Sequence, residues 1–283
     1  MPATSVEVVV YSGVWRWIAA SLFCFSRANL PLALVVVLRA DDPPITPLML
    51  AEILAVFVLA PDLASRLIQW AFATQLTFEA GELRVRAFRR AIEAPSEAIE
   101  AVAPWTLPLP RAGFDLILAA RESLRLPTQA FTAAGYLAAL DLLGSEVAAG
   151  AASHPTTIYA RAKASSPGGF WRGPLAKFVL FALPWAAIFF NLDQNISFGG
   201  TFGQYYLQGP LPWIRSFLIH WLGIAMYLLL YASVWRALAE AVALAAAWMA
   251  PSSALPVRRS VEVLCLATFY AGIPLLVVSR FLG

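Results

Sequence analysis

Charge is what this sequence has least of. Asp, Glu, Lys and Arg make up only 13% of the 283 residues, roughly half the ~25% of an ordinary soluble domain. Hydrophobic residues make up 60%, and the mean hydropathy is +0.70. So few polar groups cannot cover a water-facing surface on all sides, so lipid must cover part of it. Lysine is nearly missing: Lys163 and Lys177 are the only two among 20 basic residues. The net charge of +3 is too small and too dispersed for a nucleic-acid face.

Cysteine and histidine are equally scarce. Cys24 and Cys265 both lie in apolar stretches, which excludes a disulfide framework and a CxxC zinc site. Of the two histidines, His154 lies in a polar linker and reads as a solvated loop residue. His220 lies about one turn inside an apolar span, where it can bond a neighbouring helix or a quinone. A lone intramembrane histidine supplies neither a bis-His haem nor a metal pair. Phosphate-loop, dinucleotide, HExxH and GxSxG motifs are all missing. The glycines of SPGGFWRGP (166–174) and SFGGTFGQ (197–204) read as flexible loops. No cofactor, metal or catalytic residue is expected.

What is present is a set of long apolar runs. A crossing helix needs about 20 such residues, and about five runs qualify. The first, Val14 to Leu38, is interrupted by Arg16, Arg27 and Asn29. Either Arg27 faces protein or water, or residues 11–27 lie along the interface. The N-terminus lacks a basic n-region and a cleavage signal, so this first stretch is expected to be retained. The second run, Pro47 to Trp70, carries Glu52, Asp62 and Arg66, the last two spaced four apart to pair on one helical face. The third covers Pro174 to Leu192. The fourth begins near Trp213 and continues unbroken to Ala250, too long for a bilayer. It is expected to leave the membrane near Trp235, with Arg236 and Glu240 at the exit and the Ala-rich run 241–250 packed on protein. The fifth, Ser260 to Phe281, should kink at Pro274. Basic residues cluster before the third and fifth runs, while the ADDPP and 193–212 connections hold almost none. The positive-inside rule then puts residues 72–173 in the cytoplasm and the C-terminus in the periplasm.

Between about Phe72 and Gly144 the pattern changes to period two. Leu76 and Phe78, then Leu83, Val85 and Ala87, alternate with polar neighbours about a turn at Gly81, as in a hairpin with one buried face. RRAIEAPSEAIEAVAPW adds two strands around Pro95, and FDLILAA with ESLRLP adds a hairpin about Arg121 and Glu122. A helix follows, with Thr128 as expected N-cap, Ala133, Tyr136, Leu137, Leu140 and Leu143 on one face, and Gly144 ending it. The expected plan is an α-helical polytopic membrane protein with an inserted small α+β domain. Its parts are a two-span region 1–71, the domain 72–147, a linker 148–173 and a three-span region 174–283.

The strand pair around Gly81, the stretch IEAPSEAIEAV (Ile92 to Val102) and the closing helix resemble the bacterial pleckstrin-homology-like domain, over about a quarter of the chain. The resemblance implies a binding or scaffolding module. It implies no phosphoinositide site here, because Arg84, Arg86, Arg89 and Arg90 alternate with Glu79, Glu82 and Glu93.

The intramembrane charges Arg27, Glu52, Asp62 and Arg66, together with His220, are candidate functional residues because such groups are costly in lipid. Tyr205, Tyr206 and Trp213, in an aromatic and amide-rich outer segment, and Arg236 and Glu240 are candidate partner contacts. The expectation is a non-enzymatic accessory or scaffold subunit of a bacterial inner-membrane complex, touching lipid and other subunits or a second copy. The alternative is a small transporter or lipid-handling protein using the intramembrane charges.

Overall fold

The N-terminal run TSVEVVV is rich in β-branched valine and forms β1 (Thr4–Val10). In the computed structural model, which describes residues 4–40, 45–79, 82–87, 90–119, 124–166, 168–275 and 278, this strand lies at the centre of a sheet. The others are β2 (Ala73–Glu79), β3 (Glu82–Ala87), β4 (Arg90–Pro95), β5 (Ile99–Pro104), β6 (Gly113–Leu118) and β7 (Leu124–Ala130). All neighbours are antiparallel, in the order β4-β3-β2-β1-β7-β6-β5. The domain therefore does not start at residue 72. Its central strand comes from the N-terminus, and Val8 pairs with Thr74 on one side and Ala130 on the other. The turns expected at Gly81 and at Arg121 and Glu122, like Arg89, lie outside the described residues.

The chain divides into two compact units. The first comprises Met1–Arg27, Leu59–Ser166 and Leu238–Leu264. One face of its sheet carries the core, where Val8, Leu76, Leu83, Phe114 and Leu116 are wholly or almost wholly enclosed. Helix α4 (Ala133–Leu143) covers this face with Tyr136, Ala139, Leu140 and Leu143. Each such fully buried large side chain is worth about 1.5–3 kcal/mol. The N-cap of α4 is Thr132, whose hydroxyl accepts the Gly135 amide. Thr128, the expected cap, is instead inside β7 and donates to the Leu126 carbonyl. Gly144 ends α4 at φ +88°, a backbone conformation that glycine adopts without strain.

The expected linker is helical as well. α5 (Ser145–Ala152) and α6 (Pro155–Ala164) place Ala148, Ala151 and Ala160 in the core, small residues that let a helix approach closely. His154 is the N-cap of α6, its Nδ1 accepting the Thr156 amide at 3.2 Å, rather than a solvated loop residue.

The opposite face of β1 is covered too. Val9 and Tyr11 pack with Phe72, Trp105 and Ala19 of α1 (Trp15–Arg39). The return helix consists of α2 (Pro47–Leu54), a π-helical turn at Ala55–Leu59 and α3 (Ala60–Ala71). Since β1 and β2 are paired neighbours, residues 11–72 leave the sheet and come back to it.

The second unit comprises Ala28–Val58, Pro167–Ala237 and Cys265–Gly283. Leu30, Ala33, Leu50, Leu54, Met226 and Leu230 form one apolar cluster, and Ala182, Leu228 and Phe269 form the centre of another. Its other helices are α7 (Ala182–Phe198), α8 (Gly203–Gln208) and most of α9 (Pro210–Met249). The segment NLDQNISF, expected in an outer loop, is the last part of α7.

Among the described residues four helices, rather than about five, are long and apolar enough to cross a membrane: Trp15–Arg39, Pro47–Ala71, Leu175–Phe198 and Pro210–Met249. The expected fifth, Ser260 to Phe281, starts inside α10 (Ala254–Ala267), which carries Arg258, Arg259 and Glu262 and gives way to a π-helical turn at Thr268–Gly272. Residues 276, 277 and 279–283 lie outside the described residues. Among the described residues the three π-helical turns, Ala55–Leu59, Leu175–Leu180 and Thr268–Gly272, each precede a proline: Pro61, Pro184 and Pro274. A wider turn relieves the clash of the proline ring with the preceding carbonyl and absorbs the missing N–H.

Candidate functional site

The polar residues inside apolar elements converge on a few places in the first unit. The most enclosed is a ladder of neutral groups. The Ser65 hydroxyl in α3 donates to the Ala19 carbonyl of α1 at 2.8 Å. Gln69, one turn on, donates from Nε2 to Ser65 Oγ at 3.2 Å and accepts at Oε1 from Gln129 Nε2 in β7 at 3.3 Å. Gln129 Oε1 accepts the Tyr11 hydroxyl at 3.0 Å. All these residues are buried, and each side chain in the ladder has a partner, as buried polar groups require. Burial pushes the Tyr11 phenol far above its ordinary pKa, so it stays a donor. None of these residues was a sequence candidate. The available signal was Ser65 and Gln69 on one face of an apolar helix and Gln129 within a strand.

Beside the ladder, Arg16 at the start of α1 lies over the Trp105 ring, 3.6 Å from its centroid. Trp105 Nε1 donates to Asp115 Oδ1 at 2.8 Å, and Arg16 Nη1 is 3.9 Å from the same oxygen. The indole covers Gly113, where a Cβ would come within 2.6 Å of the ring and of the Thr128 carbonyl. A glycine is required here for close approach.

A charged joint ties α6 to α9 and α10. Glu240 accepts from the Tyr159 hydroxyl, from Lys163 Nζ at 3.3 Å and from both terminal nitrogens of Arg258 at 3.2 and 3.3 Å. Arg258, only 4% exposed, also donates through Nε to Glu262 at 2.9 Å and to Ser166 Oγ at 2.9 Å. Burial alone would lower the Arg258 pKa, but the Glu240 hydrogen bond and charge outweigh it and raise it. Burial, reinforced by Glu240, raises the Tyr159 phenol. Tyr159 packs with Ala243, Ala247 and Ala254, and His154 meets Trp248 edge-on at 5.8 Å. The packed stripe of α9 is thus Ala239, Ala243 and Ala247, while Ala237, Ala241 and Ala245, which have the same spacing, face outward. Glu240 is consumed in this joint, and Arg236 is exposed.

Of the candidate intramembrane charges, three meet. Asp62 Oδ1 accepts from Arg27 at 3.0 Å and Oδ2 from Arg66 at 2.8 Å. Glu52 is exposed and makes no ion pair among the described residues. His220, in the second unit, bonds the Ser216 carbonyl through Nδ1 at 2.9 Å, and its Nε2 is 3.9 Å from Asp193. Trp213 stacks on Phe202 at 5.6 Å and donates to the Thr201 carbonyl, fixing the α7–α8 connection. Tyr205 and Tyr206 are exposed. The Gln194 amide is enclosed and donates to Gln204 at 3.0 Å, with no partner for its oxygen among the described residues. Cys24 and Cys265 are free thiols. No group of three metal-ligating side chains occurs among the described residues.

Comparison with family models, with curated proteins and with solved structures finds no match.

Proposed function

We propose that this chain is a non-enzymatic accessory or scaffold subunit of a bacterial inner-membrane complex, holding a pleckstrin-homology-like domain at the cytoplasmic surface for partner docking. The observation that carries the reading is the ladder from Tyr11 through Gln129, Gln69 and Ser65 to Ala19. A module on a tether needs no such joint. One that presents a surface at a fixed angle to its helices does, and enclosed polar networks specify a unique arrangement. A seven-stranded antiparallel sheet followed by a helix across one face supports the pleckstrin-homology-like reading. In that reading the α1–α3 segment is an insertion between the first two strands. Basic residues before the third and fifth apolar runs support residues 72–173 as cytoplasmic.

The pairing of Arg27 and Arg66 with Asp62 accounts for those charges as mutual stabilisers. A transporter using them would lose movement of its substrate in Asp62→Asn while the folded amount stayed constant; a scaffold would lose only stability. Purification of the tagged full chain from its native membrane in mild detergent, with mass spectrometry of what accompanies it, tests the proposal. A stoichiometric membrane partner or self-assembly is expected. A chain that runs alone as a monomer overturns it.

A further inference from the structure

In the first unit, the connection between β5 and β6, the corner before α4 and the side of α6 enclose a cavity of about 170 Å³. Arg111 and Lys163 line it with the Tyr159 phenol, Thr132, Pro108 and Phe131, and among the described residues no carboxylate does. Lys163 is held by Glu240 at 3.3 Å. Arg111 is different. Its Nη1 donates to the Phe131 carbonyl, and no carboxylate pairs with it among the described residues. A guanidinium has five N–H donors, so most of its donating capacity is left for something else.

The surroundings of Arg111 sharpen this. Burial and then the nearby Arg66 charge pull its pKa down, with Arg27 adding to the effect and Asp62 and Tyr11 opposing it. The carboxylate that opposes this effect, Asp62, is already shared by Arg27 and Arg66. Arg27, Arg66 and Arg111 carry three positive charges against one negative, an excess of two. A bound anion would relieve that excess. The volume is that of roughly five or six waters, enough for one phosphate group with its ester substituent and too small for a polymer chain.

We propose that this cavity binds a phosphate group, with Arg111 and Lys163 as its charged ligands. Planar bidentate donation to phosphate oxygens is what an arginine fork does best. Phe131 on the cavity wall packs with Trp105, with Ala19 of α1 and with Ile68 of α3, so the cavity lies near the end of the sheet from which α1 starts and to which α3 returns. A phospholipid headgroup and free phosphate present the same chemistry to these ligands.

The test uses the full chain in a phosphate-free detergent. Its melting temperature is followed during titration with dihexanoyl-phosphatidylglycerol, with inorganic phosphate, and with dihexanoylglycerol as the uncharged control. A saturable rise with the phosphatidylglycerol alone assigns a lipid headgroup, and an equal rise with inorganic phosphate assigns a free anion. Either supports the site, provided Arg111→Gln weakens the apparent affinity tenfold or more. Thr132→Asp covers the case in which Arg111→Gln fails to fold. Aspartate caps α4 as well as threonine does but puts a negative charge on the cavity wall. It should hold or raise the melting temperature without added probe, since it gives Arg111 a carboxylate, and weaken binding at least tenfold. No rise with either phosphate compound, a rise matched by dihexanoylglycerol, or unaltered binding in Thr132→Asp overturns the proposal.

Discussion

Ser65 of α3 donates its hydroxyl hydrogen to the Ala19 carbonyl of α1 at 2.8 Å, and both residues are fully enclosed. This contact is the helical end of a ladder whose other end is Tyr11, so helices and sheet share one set of hydrogen bonds. Gln129→Leu removes the middle rung. It leaves the Tyr11 hydroxyl and the Gln69 oxygen enclosed without their partner, at a cost of about 1–3 kcal/mol for each stranded group. The expected result is a clear fall in melting temperature in detergent. Adding Gln69→Leu to Gln129→Leu should cost less than the sum of the two single changes, because the second substitution removes a group already stranded. Strict additivity would mean that the ladder does not act as a unit.

Deletion of residues 1–12 should abolish folding of the sheet. Val8, Val9 and Val10 are almost wholly enclosed, and burying three valines is worth roughly 4–9 kcal/mol, of the order of a whole domain's net stability of ~5–15 kcal/mol. The deletion also leaves β2 and β7 with unpaired edges. Limited proteolysis should cut the truncated chain within residues 73–130 at protease levels the full chain resists. An equally resistant truncated chain would show that β1 is dispensable.

The strands from β2 to β7 and the apolar face of α4 were legible in the sequence because each alternates or repeats with its own period. The long α9 was legible too, since nothing interrupts its pattern, and its Ala-rich end does pack on protein. β1 was not. TSVEVVV is valine-rich but is followed closely by a long apolar helix, and its partners β2 and β7 lie more than 60 residues away, so nothing local shows what it pairs with. Which alanine stripe of α9 is covered was not legible either, for a related reason. Ala237, Ala241 and Ala245 have the same spacing as Ala239, Ala243 and Ala247, and only the position of Tyr159 on α6 decides which stripe is covered. At the candidate sites, the Asp62–Arg66 pair follows from spacing along one helix. The third partner, Arg27, is 35 residues away in sequence and needs the fold.

Glu240→Ala should be among the most damaging single changes in the first unit. It strands Arg258, which is 4% exposed, and takes away the acceptor of Lys163 and Tyr159. Removing one partner of a buried ion pair costs about 3–5 kcal/mol, and the remaining bond from Arg258 to Glu262 brings the expectation to the lower part of that range. Replacing both, as Glu240→Met with Arg258→Met, should recover part of the loss because no uncompensated charge is left enclosed. Melting temperatures of the three proteins measure this. A double variant less stable than Glu240→Ala would mean that the pair contributes net stability.

His154 gives the joint at α6 a dependence on acid. Burial lowers its pKa below the ordinary 6.5, and its Nδ1 must stay unprotonated to accept the Thr156 amide. A ring whose folded pKa is depressed contributes its stability fully above the unfolded value near 6.5, where it is neutral in both states. That contribution is lost as the pH falls through the lower folded value, because the unfolded chain then binds the proton first. The melting temperature should therefore drop between about pH 7.5 and about pH 5, across the range in which a histidine titrates. His154→Asn keeps a capping acceptor without a titrating ring. Its melting temperature should fall less over the same interval, and parallel curves for the two proteins would sink the assignment to His154.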